Sequence, residues 1–161
     1  MKNCLALISL ITLIFASCSQ KPKPTFTAAD IALIPKPLQL ELGESSFEVT
    51  STTAIVLEGD SPKKAANYLE GLFKTAANYN LELQNTLAEE AIFFITEEGL
   101  NEGAYKLKVN PTSIHITASE ETGFFNAVQT IRQLLPEAIE SKKAVDIAWY
   151  IPSINIEDEP R

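Results

Sequence analysis

EGAYKLKVNPTSIHITASEETGFFNAVQTIRQLLP, residues 102–136, is the stretch on which the fold turns. Tyr105, Leu107 and Val109 alternate with Lys106 and Lys108, and Ile114, Ile116 and Ala118 alternate with His115, Thr117 and Ser119. A period of two marks strands with one buried face. Asn110, Pro111 and Thr112 lie between the runs; proline pre-sets φ and asparagine tolerates turn geometry, so an antiparallel hairpin is predicted. The period then changes. Phe124, Val128, Ile131 and Leu135 recur at helical spacing, and Pro136 sits where the helix must end or bend. The apolar faces of hairpin and helix are expected to bury one another.

Working outward, 161 residues with 45% hydrophobic content suit one α/β domain of ordinary size. The net charge of -8 argues against nucleic acid, which requires a Lys/Arg field. Only two cysteines occur, neither in the globular part, which excludes a disulfide framework and a cysteine-based zinc site.

At the start, Lys2 precedes an apolar run over residues 5–16 and then Ser17-Cys18, the pattern of an export signal. Such a run reaches roughly 18 Å as a helix, too short for a hydrocarbon core of ~30 Å. Phe15-Ala16-Ser17-Cys18 is similar to a bacterial lipobox, with Phe15 where Leu is usual, and predicts lipidation of Cys18. The alternative is a plain secretory signal with an incidental cysteine. SQKPKPTFT, residues 19–27, has two Lys-Pro pairs and little to bury, and reads as an extended tether.

Ile34-Pro35-Lys36-Pro37 is incompatible with a helix, since each proline forces its predecessor toward extended geometry, and reads as an edge segment. Leu38, Leu40 and Leu42 alternate, and alternation resumes at Phe47 after Gly43, which predicts a hairpin over 43–46. Residues 54–57 read as a short strand. Ser61 and Pro62 predict a helix start with serine as cap, and Ala65, Leu69, Leu72, Phe73 and Ala76 supply its apolar stripe. Gly71 inside that stripe suggests close packing against a neighbour. Leu81 and Leu83 begin another strand, and the continuous apolar run 91–95 predicts a central strand covered on both faces. The sum is an α+β fold, a β-sheet with two helices packed on one face. Residues 144–148 form a further apolar segment, and WYIPSINIEDEPR, residues 149–161, has an extended, strand-like start and an acidic end with no terminal element to pack, and reads as the lead-in to a second domain.

Three motifs together carry a resemblance. Glu102, Gly103, Tyr105, Leu107, Ile114, Ile116, Ala118, Gly123, Phe124, Gln129, Thr130, Gln133, Leu134, Leu135 and Pro136 fall on one pattern, IPKP at 34–37 on a second, and Ile154, Asp158, Pro160 and Arg161 on a third. With them the chain resembles the N-terminal domain of a glycoside hydrolase family 20 β-N-acetylhexosaminidase of the bacterial lipoprotein type. Ala104 is an extra residue and Ile131 stands where Leu is usual. The resemblance implies a catalytic (β/α)8 barrel in cis after Arg161, absent from this chain. That barrel carries an adjacent Asp-Glu pair and acts on N-acetylhexosamine-containing glycans with help from the substrate's own acetamido group. Arg161 is not credited with binding substrate.

The expected organisation is a signal peptide over 1–17, a tether over 18–30, the α+β domain over 31–147, and over 148–161 a lead-in to the barrel. Catalytic, cofactor and metal residues are expected to be none in this chain. Glu89-Glu90, Glu97-Glu98, Glu120-Glu121 and Glu157-Asp158-Glu159 are its carboxylate clusters, and they fall in turns, at a helix start or on a tail. Adjacent carboxylates form an acid/base pair only where burial splits their pKa values. His115 alternates outward as a lone exposed histidine. Trp149 and Tyr150 are expected to pack on the barrel, and Phe93-Phe94 and Phe124-Phe125 to be core. The expected partners are that barrel, its glycans and a membrane reached through the Cys18 lipid, at the periplasmic side of an outer membrane. The other readings are a stand-alone glycan- or protein-binding lipoprotein, or the same domain heading hyaluronidase-like β-N-acetylglucosaminidases or α-glucuronidases.

Overall fold

The computed structural model of the protein describes residues 23–86 and 88–160. Cys18 and Arg161 lie outside the described residues. The strands are β1 (Gln39–Val49), β2 (Ala54–Leu57), β3 (Leu83–Gln84), β4 (Ala91–Thr96), β5 (Tyr105–Val109), β6 (Ser113–Ala118) and β7 (Trp149–Asp158). The helices are α1 (Lys63–Ala77), between β2 and β3, and α2 (Glu121–Leu134), after β6. One seven-stranded sheet results, in the order β1-β7-β5-β6-β4-β2-β3. Pairing is parallel from β6 through β4 and β2 to β3 and antiparallel from β1 to β6.

The predicted hairpin forms, with Tyr105 opposite Ala118 and Val109 opposite Ile114. The Asn110 N–H donates to the Ser113 carbonyl at 2.8 Å, closing the turn. Tyr105, Leu107, Ile114 and Ile116 point into the core, where Phe124, Val128 and Ile131 of α2 meet them. The start of α2 lies so close to the hairpin that a Cβ on Gly123 would stand 2.3 Å from the Ala104 carbonyl oxygen and 2.8 Å from Ala118 Cβ. Only glycine fits there. α1 adds Ala65, Leu69, Phe73 and Ala76 to the same core, and both helices lie on one face of the sheet. Asn78 ends α1 in a left-handed conformation (φ 57°), which asparagine tolerates better than most residues.

Several expectations change. The predicted hairpin over 43–46 is instead a register shift inside one long β1, between Leu42 and Ser46. Gly43 reads as turn chemistry but serves close approach, since a Cβ there would be 3.1 Å from Ser153 Cβ. The stretch 148–161, expected outside the domain, supplies β7, an interior strand between β1 and β5. Ile151, Ile154 and Ile156 bury into the core, so this segment has packing partners within the domain itself. Gly71 has no atom within 4 Å of a would-be Cβ and marks no close contact. The cap of α1 falls on Pro62, so no cap side chain bonds there.

Phe94 and Phe124 are core, with ring centroids 5.9 Å apart. Their neighbours differ. Phe93 lies half-buried on the face of the sheet away from the helices, so β4 is not covered equally on both sides. Phe125 is exposed and pairs with Tyr68 at 5.3 Å. Residues 144–148 form neither helix nor strand and are mostly exposed.

The tether is not loose along its whole length. Lys23 Nζ donates to the Pro111 carbonyl at 2.7 Å, and Ser46 Oγ donates to the Pro24 carbonyl at 2.9 Å. Thr27 and Asp30 cap a short 3-10 turn over Ala28–Asp30 through bonds of 2.8 and 2.7 Å. Those bonds, side chain first, hold the Asp30 carboxyl below its usual range. Ile31 and Leu33 then pack on the core beside Leu40 and Leu42 of the edge strand β1.

The two glycines in helices predict opposite responses in urea unfolding. Gly123→Ala forces backbone apart and is expected to destabilise by ~1–3 kcal/mol or more. Gly71→Ala meets open space and is expected to stabilise by up to about 1 kcal/mol.

Candidate functional site

Where β5 begins and β7 ends, Tyr105 faces Asp158 across the strands. Beside this pair is a cleft of about 490 Å³ between residues 33–37, the flank of α2 and residues 158–160. Its walls hold one another through hydrogen bonds. Thr130 Oγ1 donates to the Asn126 carbonyl at 3.3 Å, which leaves the buried Tyr105 hydroxyl as donor to Thr130 Oγ1 at 2.6 Å. Asn126 Nδ2 donates to the Gly103 carbonyl at 2.9 Å, and the Gly103 N–H donates to Glu120 Oε1 at 3.0 Å. Gly103 has φ +74°, and a Cβ there would be 2.7 Å from Pro160 Cγ. The IPKP segment is held from both sides. The Ile34 N–H donates to Gln133 Oε1 at 2.9 Å and the Leu38 N–H to Asp158 Oδ1 at 3.1 Å.

Burial pushes the Tyr105 hydroxyl above its ordinary pKa, against the Thr130 bond and with the help of the Asp158 charge. It therefore stays protonated near neutrality and serves as a hydrogen-bond donor. Polar groups lining this cleft are bonded to other parts of the chain, an arrangement suited to fastening segments together.

The family described as "Glycosyl hydrolase family 20, domain 2" matches residues 30–159. The chain belongs to this family. It is 31% identical over 154 residues to a β-hexosaminidase of Porphyromonas gingivalis, covering 89% of this chain and 19% of that protein. It is 30% identical over 139 residues to a β-hexosaminidase of Vibrio furnissii, covering 86% of this chain and 21% of the relative. The chain thus spans about a fifth of the length of these relatives. Among solved structures it is similar to the family 20 β-N-acetylhexosaminidase of Streptomyces coelicolor A3(2), at TM-score 0.75 and 30% identity, over 88% of this chain and 28% of that one.

Seen as a family 20 domain, the chain gathers its motif residues in one place. Ile34, Pro35 and Pro37 of the IPKP segment line the cleft together with Gly103, Tyr105, Gln129, Thr130, Gln133, Asp158 and Pro160. The sequence presented them as three separate motifs, and nothing local marked Asn126 as their connector.

The carboxylates are otherwise employed or solvated. Glu89, Glu90 and Glu98 are exposed. Glu97 pairs with Lys106 at 2.6 Å and Glu121 with Lys64 at 3.0 Å, both near the surface. Glu120 and Glu159 hold the turn before β5, Glu159 Oε2 accepting from Asn101 Nδ2 at 2.6 Å. Glu157 is exposed on β7. Among the described residues no group of three or more His, Cys, Asp or Glu is placed to hold a metal.

His115 is half-buried rather than exposed. Its ring stacks on Phe93 at 4.9 Å and 22°, and Nε2 lies 3.0 Å from Ser113 Oγ. Trp149, expected against a barrel, is buried within this domain, edge-on to Phe73 at 5.9 Å. Tyr150 lies half-buried beside it in sequence, its hydroxyl pushed up by desolvation and by Glu48.

Desolvation, and then Lys108, lowers the pKa of His115 below its ordinary 6.5. The unfolded chain therefore binds this proton more readily than the folded one. The contribution of the neutral ring is complete above about pH 6.5 and is lost as pH falls through the folded value. Urea midpoints at pH 7.5 and 5.5 are expected to differ less in His115→Gln than in the wild type. Tyr105→Phe is expected to cost about 1 kcal/mol in the same assay, since Thr130 keeps its own acceptor.

Proposed function

We propose that this chain is the non-catalytic N-terminal domain of a β-N-acetylhexosaminidase, an enzyme that removes terminal non-reducing N-acetylhexosamine from glycans. The supporting observation is the match of this fold along residues 30–159 to family 20, in relatives named β-hexosaminidase. The chemistry belongs to a (β/α)8 barrel in cis. The cleft at residues 158–160 supports the same reading, because Asp158 holds the Leu38 N–H and Glu159 the Asn101 side-chain amide, and the two do not form a reactive pair. The domain's role is to brace the barrel, and the glycan meets the barrel. We assign Cys18 as the lipidated residue of an exported outer-membrane lipoprotein on the periplasmic side, supported by the signal-like run that precedes it.

The test is release of p-nitrophenol from p-nitrophenyl N-acetyl-β-glucosaminide by the purified chain, its folding verified by circular dichroism. A folded protein without turnover is expected. Turnover that disappears in Glu120→Gln or Glu159→Gln would place the chemistry in this chain and overturn the proposal. For the anchor, radiolabelled palmitate is expected in the wild type and not in Cys18→Ala, which washes from membranes.

A further inference from the structure

The chain enters and leaves the domain at opposite ends of its sheet. Beside β7, which covers roughly 20 Å from Pro152, opposite Ser46, to Asp158 at the usual rise of a strand, β5 runs from Tyr105 to Val109. At its start Tyr105 pairs with Asp158, and Pro160 lies against Gly103 as the chain departs. At its other end Val109 leads into the turn whose Pro111 carbonyl accepts from Lys23. The Pro24 carbonyl is held by Ser46, which is fully buried and pairs with Pro152, two residues beyond the partner of Val109 on β7. Residues 23–26 thus bind at the turn end, with Pro24 and Phe26 half-buried.

We propose that residues 23–26 are a strap that orients the domain on a bilayer, with the 110–112 turn facing lipid and the Pro160 exit facing away. The proposal rests on the assignment of Cys18 as the lipidated residue. From Cys18 to Lys23 the chain spans at most ~18 Å even when fully extended. Were the chain free as far as Ile31, where core packing resumes, the same limit would be more than twice as long, and either end of the sheet could face the membrane. With the strap in place the Ser46 hydroxyl is buried and its bond to Pro24 is shielded from water, so release gives up that bond, and proline keeps the segment extended. A domain held in this way acts as a directional spacer. It places whatever follows Pro160 on the side of the sheet remote from the lipid.

The experiment uses the full lipidated chain in proteoliposomes with nitroxide-labelled headgroups. A thiol-linked fluorophore is placed at Thr112→Cys, in the turn, or at exposed Glu98→Cys, just beyond the opposite end of β4; palmitate incorporation is measured in the same preparations. Quenching several-fold stronger at position 112 than at 98 is the expected result. It should collapse toward equality in Phe26→Ala/Ser46→Ala, whose core is untouched. Equal quenching at both sites with palmitate present overturns the strap and leaves the anchor standing. Absence of palmitate overturns both. A bias that persists in the double variant shows that something other than residues 23–26 orients the domain, which also overturns the proposal.

Discussion

The insertion of β7 between β1 and β5 is the constraint on which the rest of the structure depends. Among the described residues β1 has no other strand partner, and without β7 the ladder of β5 on that side would be open along its length. Each unpaired ladder group shielded from water costs free energy comparable to a lost hydrogen bond. The last strand therefore joins the first to the hairpin, and Ile151, Ile154 and Ile156 deliver apolar area to the core in doing so. Trp149 extends that closure to α1 through Phe73. Such pairing joins residues distant in sequence, so loop-closure entropy must be met before the contacts form.

This closure also explains why the motif residues converge. Pairing of Tyr105 with Asp158 fixes where β7 ends, and the carboxylate of Asp158 then reaches the Leu38 N–H. Gln133 on α2 holds Ile34, and Asn126 holds Gly103. Helix, hairpin and both flanking segments meet at one cleft, whose polar groups are bonded to the chain itself. A family 20 domain built in this way offers a rigid departure point for the chain, and its carboxylates support structure.

The parts legible in the sequence are those whose pattern is local. The β5–β6 hairpin and α2 show unbroken periods bounded by Asn110-Pro111 and Pro136, and both formed as read. The illegible parts are those whose meaning lies in a distant partner. Gly43 has the chemistry of a turn, but the neighbour that decides its role is Ser153, on the far side of the sequence. Pro152 interrupts the alternation of β7, and the acidic residues at its end suggest a solvated tail, so its interior position could not be read. Phe124 and Phe125 are adjacent on a helix and hence on different faces, so one of the pair is core and the other surface. For the cleft, the contributing residues were recognisable as motif positions, but their meeting depends on sheet order, which no local signal encodes.

Hydrogen exchange across β7 tests the central claim most directly. If β7 is the interior strand that closes the sheet, the amides of residues 151, 154 and 156 will exchange as slowly as those of β5 and β6, near the global unfolding limit. Exchange at the rate of the exposed 142–148 segment would contradict the account, and would show that the sheet stands without its last strand.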